Sequence, residues 1–150
     1  NVNGLAVMRL VAMHKNVSEE TLIHLSESPD EYVRSSVAEN PNTPISILRD
    51  LANSGDQLTS WSLAANPKTP PDILAKLADV GDEYARSSVA RNPGTTVETL
   101  TKLATDPELN VRYDVAMNPK TSPETLRSLA KDNNQTVRTQ AQNRSKNMPP

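Results

Sequence analysis

The sequence predicts an all-α fold in which two-helix repeats stack into a solenoid, and three observations support this prediction. One octet occurs four times with small changes, as VAENPNTP, LAANPKTP, VARNPGTT and VAMNPKTS, and a weaker copy, VAMHKNVS, precedes them. Successive copies are spaced 26 residues apart. No segment alternates apolar and polar residues with the period of a β-strand, so no sheet is expected. Repetition at a fixed period of about 20–50 residues is typical of stacked-repeat proteins.

Two columns of apolar residues follow the same period and mark the expected core. The alanines are Ala12, Ala38, Ala64, Ala90 and Ala116, and the leucines are Leu22, Leu48, Leu74, Leu100 and Leu126. The hydrophobic fraction is only 35%, with no Phe and one Trp, so Ala and Leu must supply most of the buried surface. Each repeat is expected to bury its apolar face against its neighbours rather than within one large core.

Each repeat is expected to contain two helices, of which the first is short. In the second repeat, Val33, Val37 and Ala38 share one face of the first helix. Asn40-Pro41 should end this helix, because a residue before proline avoids the α region. We expect these first helices to be partly 3₁₀.

The second helix of the same repeat is expected to begin at Thr43-Pro44 and to end close to Gly55. Its buried stripe is predicted to consist of Ile45, Leu48, Leu51 and Ala52. In other repeats, a hydroxyl residue followed by an acid indicates where the second helix begins, at Ser18, Thr96 and Ser122.

The length of 150 residues fits one helical-repeat domain spanning residues 1–150. The first residue is not Met, which favours a piece of a longer chain. The segment Leu5–Val11 is apolar on more than one face, so a preceding repeat, a partner or a second copy is expected to cover it. The polar segment Val137–Asn143 lacks the Asn-Pro turn and is predicted to be a terminal cap, with residues 144–150 as a disordered tail.

Composition argues against several classes of function. The net charge of −2 creates no general attraction for nucleic acid. The absence of cysteine excludes disulfides, thiolate metal sites and a cysteine nucleophile. His14 and His24 lack metal-ligand spacing, and no glycine-rich phosphate loop is present. We therefore expect no enzyme activity, no catalytic residues, no metal and no cofactor. No apolar run suffices to span a membrane, and a cytoplasmic location is the default expectation.

The motif Val-Ala-x-Asn-Pro-x-Thr-Pro, followed by Leu-x-x-Leu-Ala, an acidic turn and Val-Arg, resembles the leucine-rich repeat variant family over residues 5–143. This resemblance implies a right-handed superhelix of alternating α and 3₁₀ helices without strands. It also implies a binding role, and it brings no catalytic residues. The 26-residue repeat is slightly longer than that of the family, and the chain lacks the cysteines of the iron–sulfur segment that some members carry.

Two polar columns recur and invite a functional interpretation. The asparagines Asn40, Asn66, Asn92 and Asn118 are expected to cap the turn backbone rather than to bind a ligand. The second column consists of arginines whose spacing would allow them to bind a polyanion, namely Arg34, Arg86, Arg112 and Arg138. Acids just upstream, such as Glu31, Glu83 and Glu108, make local ion pairs the simpler explanation of that column.

The columns that vary between repeats are the better candidates for binding. On the first helices, opposite the Val/Ala stripe, the variable pairs are Ser35/Glu39, Trp61/Ala65, Ser87/Arg91 and Tyr113/Met117. Because Trp, Tyr, Arg and Met are enriched in protein interfaces, we predict that an exposed surface formed by Trp61, Arg91, Tyr113 and Met117 binds a partner. Ser87, in this interpretation, is exposed and dispensable.

Three functional hypotheses follow from these features. The first is a non-enzymatic scaffold that binds a protein or peptide on its variable surface. The second is nucleic-acid or polyanion binding along the arginine column, which the net charge disfavours. The third is an architectural spacer or assembly module that associates through the apolar N-terminal segment.

Overall fold

The structure is a computed structural model that describes residues 2–146. These residues form eleven α-helices and no β-strand. The helices are α1 (Val2–Met13), α2 (Glu19–Ser26), α3 (Glu31–Glu39), α4 (Ile45–Leu51), α5 (Gln57–Ala65), α6 (Pro71–Val80), α7 (Glu83–Arg91), α8 (Val97–Leu103), α9 (Leu109–Met117), α10 (Pro123–Leu129) and α11 (Gln135–Lys146). Odd-numbered helices are the first helices of the repeats and even-numbered helices the second. The all-α prediction with two helices per repeat is confirmed.

The two apolar columns form the core, as predicted. The five alanines are fully buried, and the five leucines are at most 1% exposed. On α4 the predicted stripe is confirmed at Leu48 and Leu51 and wrong at Ile45, which is 53% exposed while Ile47 is buried in its place. A helix that begins only at Ile45 turns its third residue, and not its first, toward the core. Ala52, also predicted in this stripe, is half-buried and follows the end of the helix.

The first helices are longer than expected and contain no 3₁₀ segment within residues 2–146. The helices α3, α5, α7 and α9 each have nine residues, whereas α4, α8 and α10 each have seven. Asp30, Asp56 and Asp82 cap three of the first helices, since each carboxylate accepts a hydrogen bond from a backbone N–H in the first turn.

The predicted starts of the second helices are confirmed at Ser18, Thr96 and Ser122, whose hydroxyls accept hydrogen bonds from first-turn N–H groups. The repeat with Thr43-Pro44 differs, because Pro44 occupies the cap position. The Thr43 hydroxyl instead donates to the Val37 carbonyl at 2.6 Å. Gly55 follows the end of α4 with a left-handed φ of 71°, which suits glycine.

The chain forms two compact units, Asn1–Leu74 and Ala75–Pro150. In the first, α3 packs between α1 and α5, and α2 packs on α4. In the second, α9 packs between α7 and α11, and α10 packs on α11. Within each unit, equivalent helices of consecutive repeats therefore lie side by side, as in a solenoid. The right-handed superhelix stays a prediction.

The predicted disordered tail is wrong for residues 144–146, which continue α11 as far as Lys146. The rest of that tail, residues 147–150, lies outside the described residues. Arg144 explains the extra turn, because its guanidinium donates to backbone carbonyls of the preceding repeat, Ala116 among them at 2.9 Å.

Candidate functional site

The asparagine column connects consecutive repeats through the backbone. In the first unit, the Asn40 side-chain amide donates to the Ala12 carbonyl at 2.6 Å, and that of Asn66 donates to the Ala38 carbonyl at 2.7 Å. In the second unit, Asn118 donates to the Ala90 carbonyl at 2.7 Å. In all three cases the carbonyl belongs to the first helix of the preceding repeat.

The same side chains also cap their own turns, as predicted. The amide oxygen of Asn118 accepts a hydrogen bond from the Lys120 N–H at 2.9 Å, and Asn92 accepts one from the Gly94 N–H at 2.8 Å. The Thr121 hydroxyl, three residues after Asn118, donates to the Val115 carbonyl at the end of α9. The polar atoms of these buried turns are therefore satisfied within the chain, which leaves few of them to a ligand.

Arg144 takes the position of the asparagine in the last repeat, 26 residues after Asn118. Its guanidinium donates to the Ala116 and Asn118 carbonyls, the same two positions that Asn118 contacts one repeat earlier. The 26-residue period places Arg144 in the asparagine column. Its role was nevertheless missed, because arginine differs from asparagine in residue type.

The arginine column binds carboxylates of the following repeat. Arg86 binds Asp106 through Nε and Nη2 at 2.7 and 3.1 Å, and Arg112 binds Asp132 in the same way at 2.7 and 3.2 Å. Arg34 makes the corresponding contact with Asp56 at 2.9 Å. The hydrogen-bonded partners thus differ from the prediction, because the guanidiniums extend to the next acidic turn. The upstream acids Glu83 and Glu108 act on Arg86 and Arg112 through their charge alone.

Each arginine also holds the loop before its own helix. The Nη1 atoms of Arg34, Arg86, Arg112 and Arg138 donate to carbonyls of that loop, at distances from 2.7 to 2.9 Å. The side chains of Arg34, Arg86 and Arg112 are only 12–19% exposed. Their positive charges are thus largely occupied by contacts that order the loops.

These contacts raise the pKa of the arginines and lower the pKa of a paired carboxylate, as expected for ion pairs. Hydrogen bonding to Asp106 raises the pKa of Arg86, and hydrogen bonding to Asp132 raises that of Arg112. Burial alone raises the pKa of Asp132, but hydrogen bonds from Arg112 and from the Asn134 N–H outweigh burial. The net effect holds the pKa of Asp132 below its ordinary value.

The residues of the predicted binding surface have different environments. Trp61, in the first unit, was predicted to be exposed, but it is half-buried and has contacts within the chain. In the second unit, Arg91 and Tyr113 line one groove. Met117, at the end of α9, is 47% exposed and lies outside the lining of that groove.

The groove lies between α7 and α9 and has a volume of about 390 Å³. Helix α7 contributes four lining residues and α9 three, namely Glu83, Tyr84, Ser87, Arg91, Asn110, Tyr113 and Asp114. We refer to this set as the α7–α9 groove. Two tyrosines line it, of which Tyr84 is 58% exposed and Tyr113 is half-buried.

Hydrogen bonds fix the polar residues of the groove across the two helices. The Asn110 amide donates to Glu83 Oε1 at 3.0 Å. Arg91 donates to Asp114 Oδ2 at 3.2 Å, and the Ser87 hydroxyl donates to the same oxygen. The Asp114 carboxylate is thus bound by a guanidinium and a hydroxyl at the base of the groove.

Ser87 corrects the sequence prediction, because it is 7% exposed and hydrogen bonded rather than exposed and idle. The residues that sequence reasoning missed are Glu83, Tyr84, Asn110 and Asp114. Tyr84 belongs to a column that varies as Tyr32, Leu58, Tyr84 and Asn110. Variation between repeats also identified Tyr113 as a candidate, so the same criterion applied to this column would have identified Tyr84 from the sequence.

The N-terminal helix exposes large apolar side chains, including Val7 at 59% and Leu10 at 70%. Association of a second copy through α1 stays a prediction. Within residues 2–146, no helix is both long and apolar enough to cross a membrane. Across the same range, no group of three His, Cys, Asp or Glu residues is arranged to hold a metal ion.

Residues 33–91 match the Leucine Rich Repeat Variant domain, so the resemblance indicated by the repeated octets is confirmed for this part of the chain. A solved structure described as a leucine-rich repeat variant with a novel repetitive structural motif is similar, with 24% sequence identity and a TM-score of 0.48. The alignment covers 92% of this chain and 65% of that one, so the chain spans less than two thirds of its length. No curated protein matches the sequence.

Proposed function

We propose that the protein is a non-enzymatic scaffold that binds a partner protein or peptide in the α7–α9 groove. The observation that carries this proposal is the pair of tyrosines, Tyr84 and Tyr113, that line one groove beside Arg91. Tyrosine and arginine provide much of the binding energy in protein interfaces, where they are over-represented among the residues that matter most.

The contrast with the rest of the chain supports the same choice. The asparagine and arginine columns contribute most of their polar atoms to contacts within the chain. In the groove, Tyr84 is 58% exposed and the Arg91 side chain is 54% exposed. These two residues and Met117 offer accessible surface on neighbouring repeats, which suits recognition of an extended or helical segment.

Polyanion binding along the arginine column has less support. Arg34, Arg86 and Arg112 are paired with carboxylates and mostly buried, so an anion would have to displace those partners. Trp61 lies in the first unit, apart from the groove residues, and its part in binding stays a separate prediction.

The experiment that tests the proposal is quantitative affinity capture from a nuclease-treated lysate of the source organism. Three baits are compared: the wild-type chain, the double variant Tyr84→Ala/Tyr113→Ala, and Tyr32→Ala. Tyr32 is a matched control, because it occupies the same repeat column as Tyr84, is 50% exposed and lies in the other unit.

We expect at least one protein to be retained by the wild-type chain and by Tyr32→Ala but lost from the double variant. Circular dichroism and thermal unfolding establish that the double variant keeps its fold. The proposal is wrong if the folded double variant captures the same proteins in the same amounts as the wild-type chain.

A further inference from the structure

We infer that the α7–α9 groove receives a cationic side chain, that of lysine or arginine, from the bound partner. This inference rests on the proposed function and names the chemistry of the ligand. Three observations carry it: the charge of the groove, its tyrosine rings, and an equivalent contact that the chain itself makes in its first repeats.

The charges that line the groove leave one carboxylate in excess. Glu83, Asp114 and Arg91 are the charged lining residues. Arg91 and Asp114 form an ion pair, and Ser87 donates a further hydrogen bond to the same carboxylate oxygen. Glu83 has no cationic partner within hydrogen-bonding distance in the described chain, and its Oε1 accepts only the neutral Asn110 amide. The groove is therefore net negative.

Charged residues around the groove also make its surroundings negative. The other arginine of α7, Arg86, binds Asp106 through two hydrogen bonds, and the charges of Glu108 and Glu83 also raise its pKa. Two acids in addition to Asp106 thus lie close enough to influence this guanidinium. An anionic ligand would meet Glu83 and Asp114, whereas a cationic ligand would find a carboxylate oxygen available on Glu83.

The tyrosine rings are the second feature that suits a cation. The face of an aromatic ring attracts an ammonium or guanidinium group placed within about 6 Å of its centre. Tyr84 and Tyr113 both line the groove beside Glu83, so a side chain that enters it is offered ring surface and a negative charge together. Lysine and arginine are the residues that use both.

The chain itself shows that this column of tyrosines can hold a guanidinium. Arg9 on α1 lies over the ring of Tyr32 on α3, with its central carbon 5.0 Å from the ring centroid. Tyr32 is the counterpart of Tyr84 two repeats earlier. A tyrosine at this position of the repeat can therefore hold a guanidinium group against its ring.

The experiment is a titration of the ¹⁵N-labelled full chain with two small ligands, followed by NMR. One is N-acetyl-arginine methylamide and the other N-acetyl-glutamate methylamide. We expect the arginine ligand to shift the amide resonances of Glu83, Asn110 and Tyr113 in a saturable manner, and the glutamate ligand to leave them unchanged. Glu83→Gln should weaken binding of the arginine ligand by about two- to five-fold.

One control variant and a second variant of the groove test whether the result is specific. Glu124→Gln removes an exposed carboxylate from α10 in the same unit and should leave binding unchanged. Tyr113→Leu keeps an apolar side chain but removes the ring, and should weaken binding of the arginine ligand by a similar two- to five-fold factor.

The inference is overturned if the glutamate ligand binds more tightly than the arginine ligand, because the groove would then use Arg91 to bind an anion. It is also overturned if neither ligand shifts these resonances, or if Glu124→Gln weakens binding as much as Glu83→Gln. None of these results removes the scaffold proposal, which fails only when the double tyrosine variant captures the same proteins as the wild-type chain.

Discussion

The helices α7 and α9 each carry a position whose residue varies between repeats, and each is followed by an asparagine that is constant, and the two positions have different environments. At the constant position, Asn118 directs both ends of its amide to backbone groups in buried turns. At the variable position, Tyr113 lines an open groove, and its counterparts in other repeats are Arg9, Ser35, Trp61 and Ser87. The recurring asparagine holds neighbouring repeats together, whereas the variable column holds side chains that differ in burial, from the buried Ser87 to the half-buried Tyr113.

The physical reason for this division is the buried backbone of the Asn-Pro turns. Within each unit, the Asn-Pro turn of one repeat lies against the first helix of the preceding repeat, and its N–H and C=O groups must be hydrogen bonded wherever water is excluded. Asparagine meets this requirement at Asn40, Asn66 and Asn118, and Arg144 makes the equivalent contacts with the preceding repeat at the end of the chain's described part. The exposed positions of the groove, such as that of Tyr84, are under no such requirement, so their residue types can differ between repeats.

The largest effect should follow from breaking the constant column at Asn118→Ala. The variant removes hydrogen bonds to the Ala90 carbonyl and from the Lys120 N–H, and it leaves a buried acceptor unpaired. We expect the free energy of unfolding to fall by about 2–4 kcal/mol. Chemical denaturation followed by circular dichroism measures this change.

The control for this prediction is Asn143→Ala, since Asn143 is exposed on α11. Its effect on the free energy of unfolding should stay within about 0.5 kcal/mol. Equal losses for Asn118→Ala and Asn143→Ala would contradict the assignment of the asparagine column to the packing of repeats.

A smaller effect, and one that depends on pH, is expected at the pair formed by Arg112 and Asp132. The pKa of Asp132 lies below its ordinary value in the folded chain. The unfolded chain therefore binds more protons in acid, so the contribution of Asp132 to stability is present above about pH 4 and is lost as the pH falls through the folded pKa. Asp132→Asn should cost about 1–2 kcal/mol at pH 7 and progressively less below pH 4.

Unfolding free energies of the wild-type chain and of Asp132→Asn between pH 2.5 and pH 7 provide the measurement. The matched control is Asp79→Asn, because Asp79 pairs with Lys102 at the surface, where both side chains are more than half exposed. A difference between Asp132→Asn and the wild-type chain that does not change with pH would show that the carboxylate charge is irrelevant to the contact.

Much of the fold could be predicted from the sequence, because the repeated octet places the same apolar and turn residues at equivalent positions of successive repeats. The buried Ala and Leu columns and the Asn-Pro turns follow directly from that period. The partners of the arginines could not be predicted, since Arg86 binds Asp106, 20 residues away, and the path of the intervening helix decides which acid it meets. Arg144 was missed because a guanidinium and an amide can donate to the same carbonyls.

The site was predicted only in part, for a related reason. Arg91 and Tyr113 were identified because their columns vary and their residue types suit interfaces. The sequence pattern alone placed Ser87 on the same exposed surface. It could not show that Asp114, one repeat later, lies within hydrogen-bonding distance of the Ser87 hydroxyl.

The smallest of the three effects is expected at Ser87→Ala, which tests whether the variable columns also contribute to stability. The variant removes the hydroxyl that donates to Asp114 and leaves the carboxylate with Arg91 as its one remaining side-chain donor among the described residues. We expect a loss of about 1 kcal/mol, measured by chemical denaturation. Ser128→Ala, at an exposed position on α10, should change the free energy of unfolding by much less. If the two variants prove equally harmless, Ser87 is as dispensable as its column suggested, and the base of the groove is held by Arg91 alone.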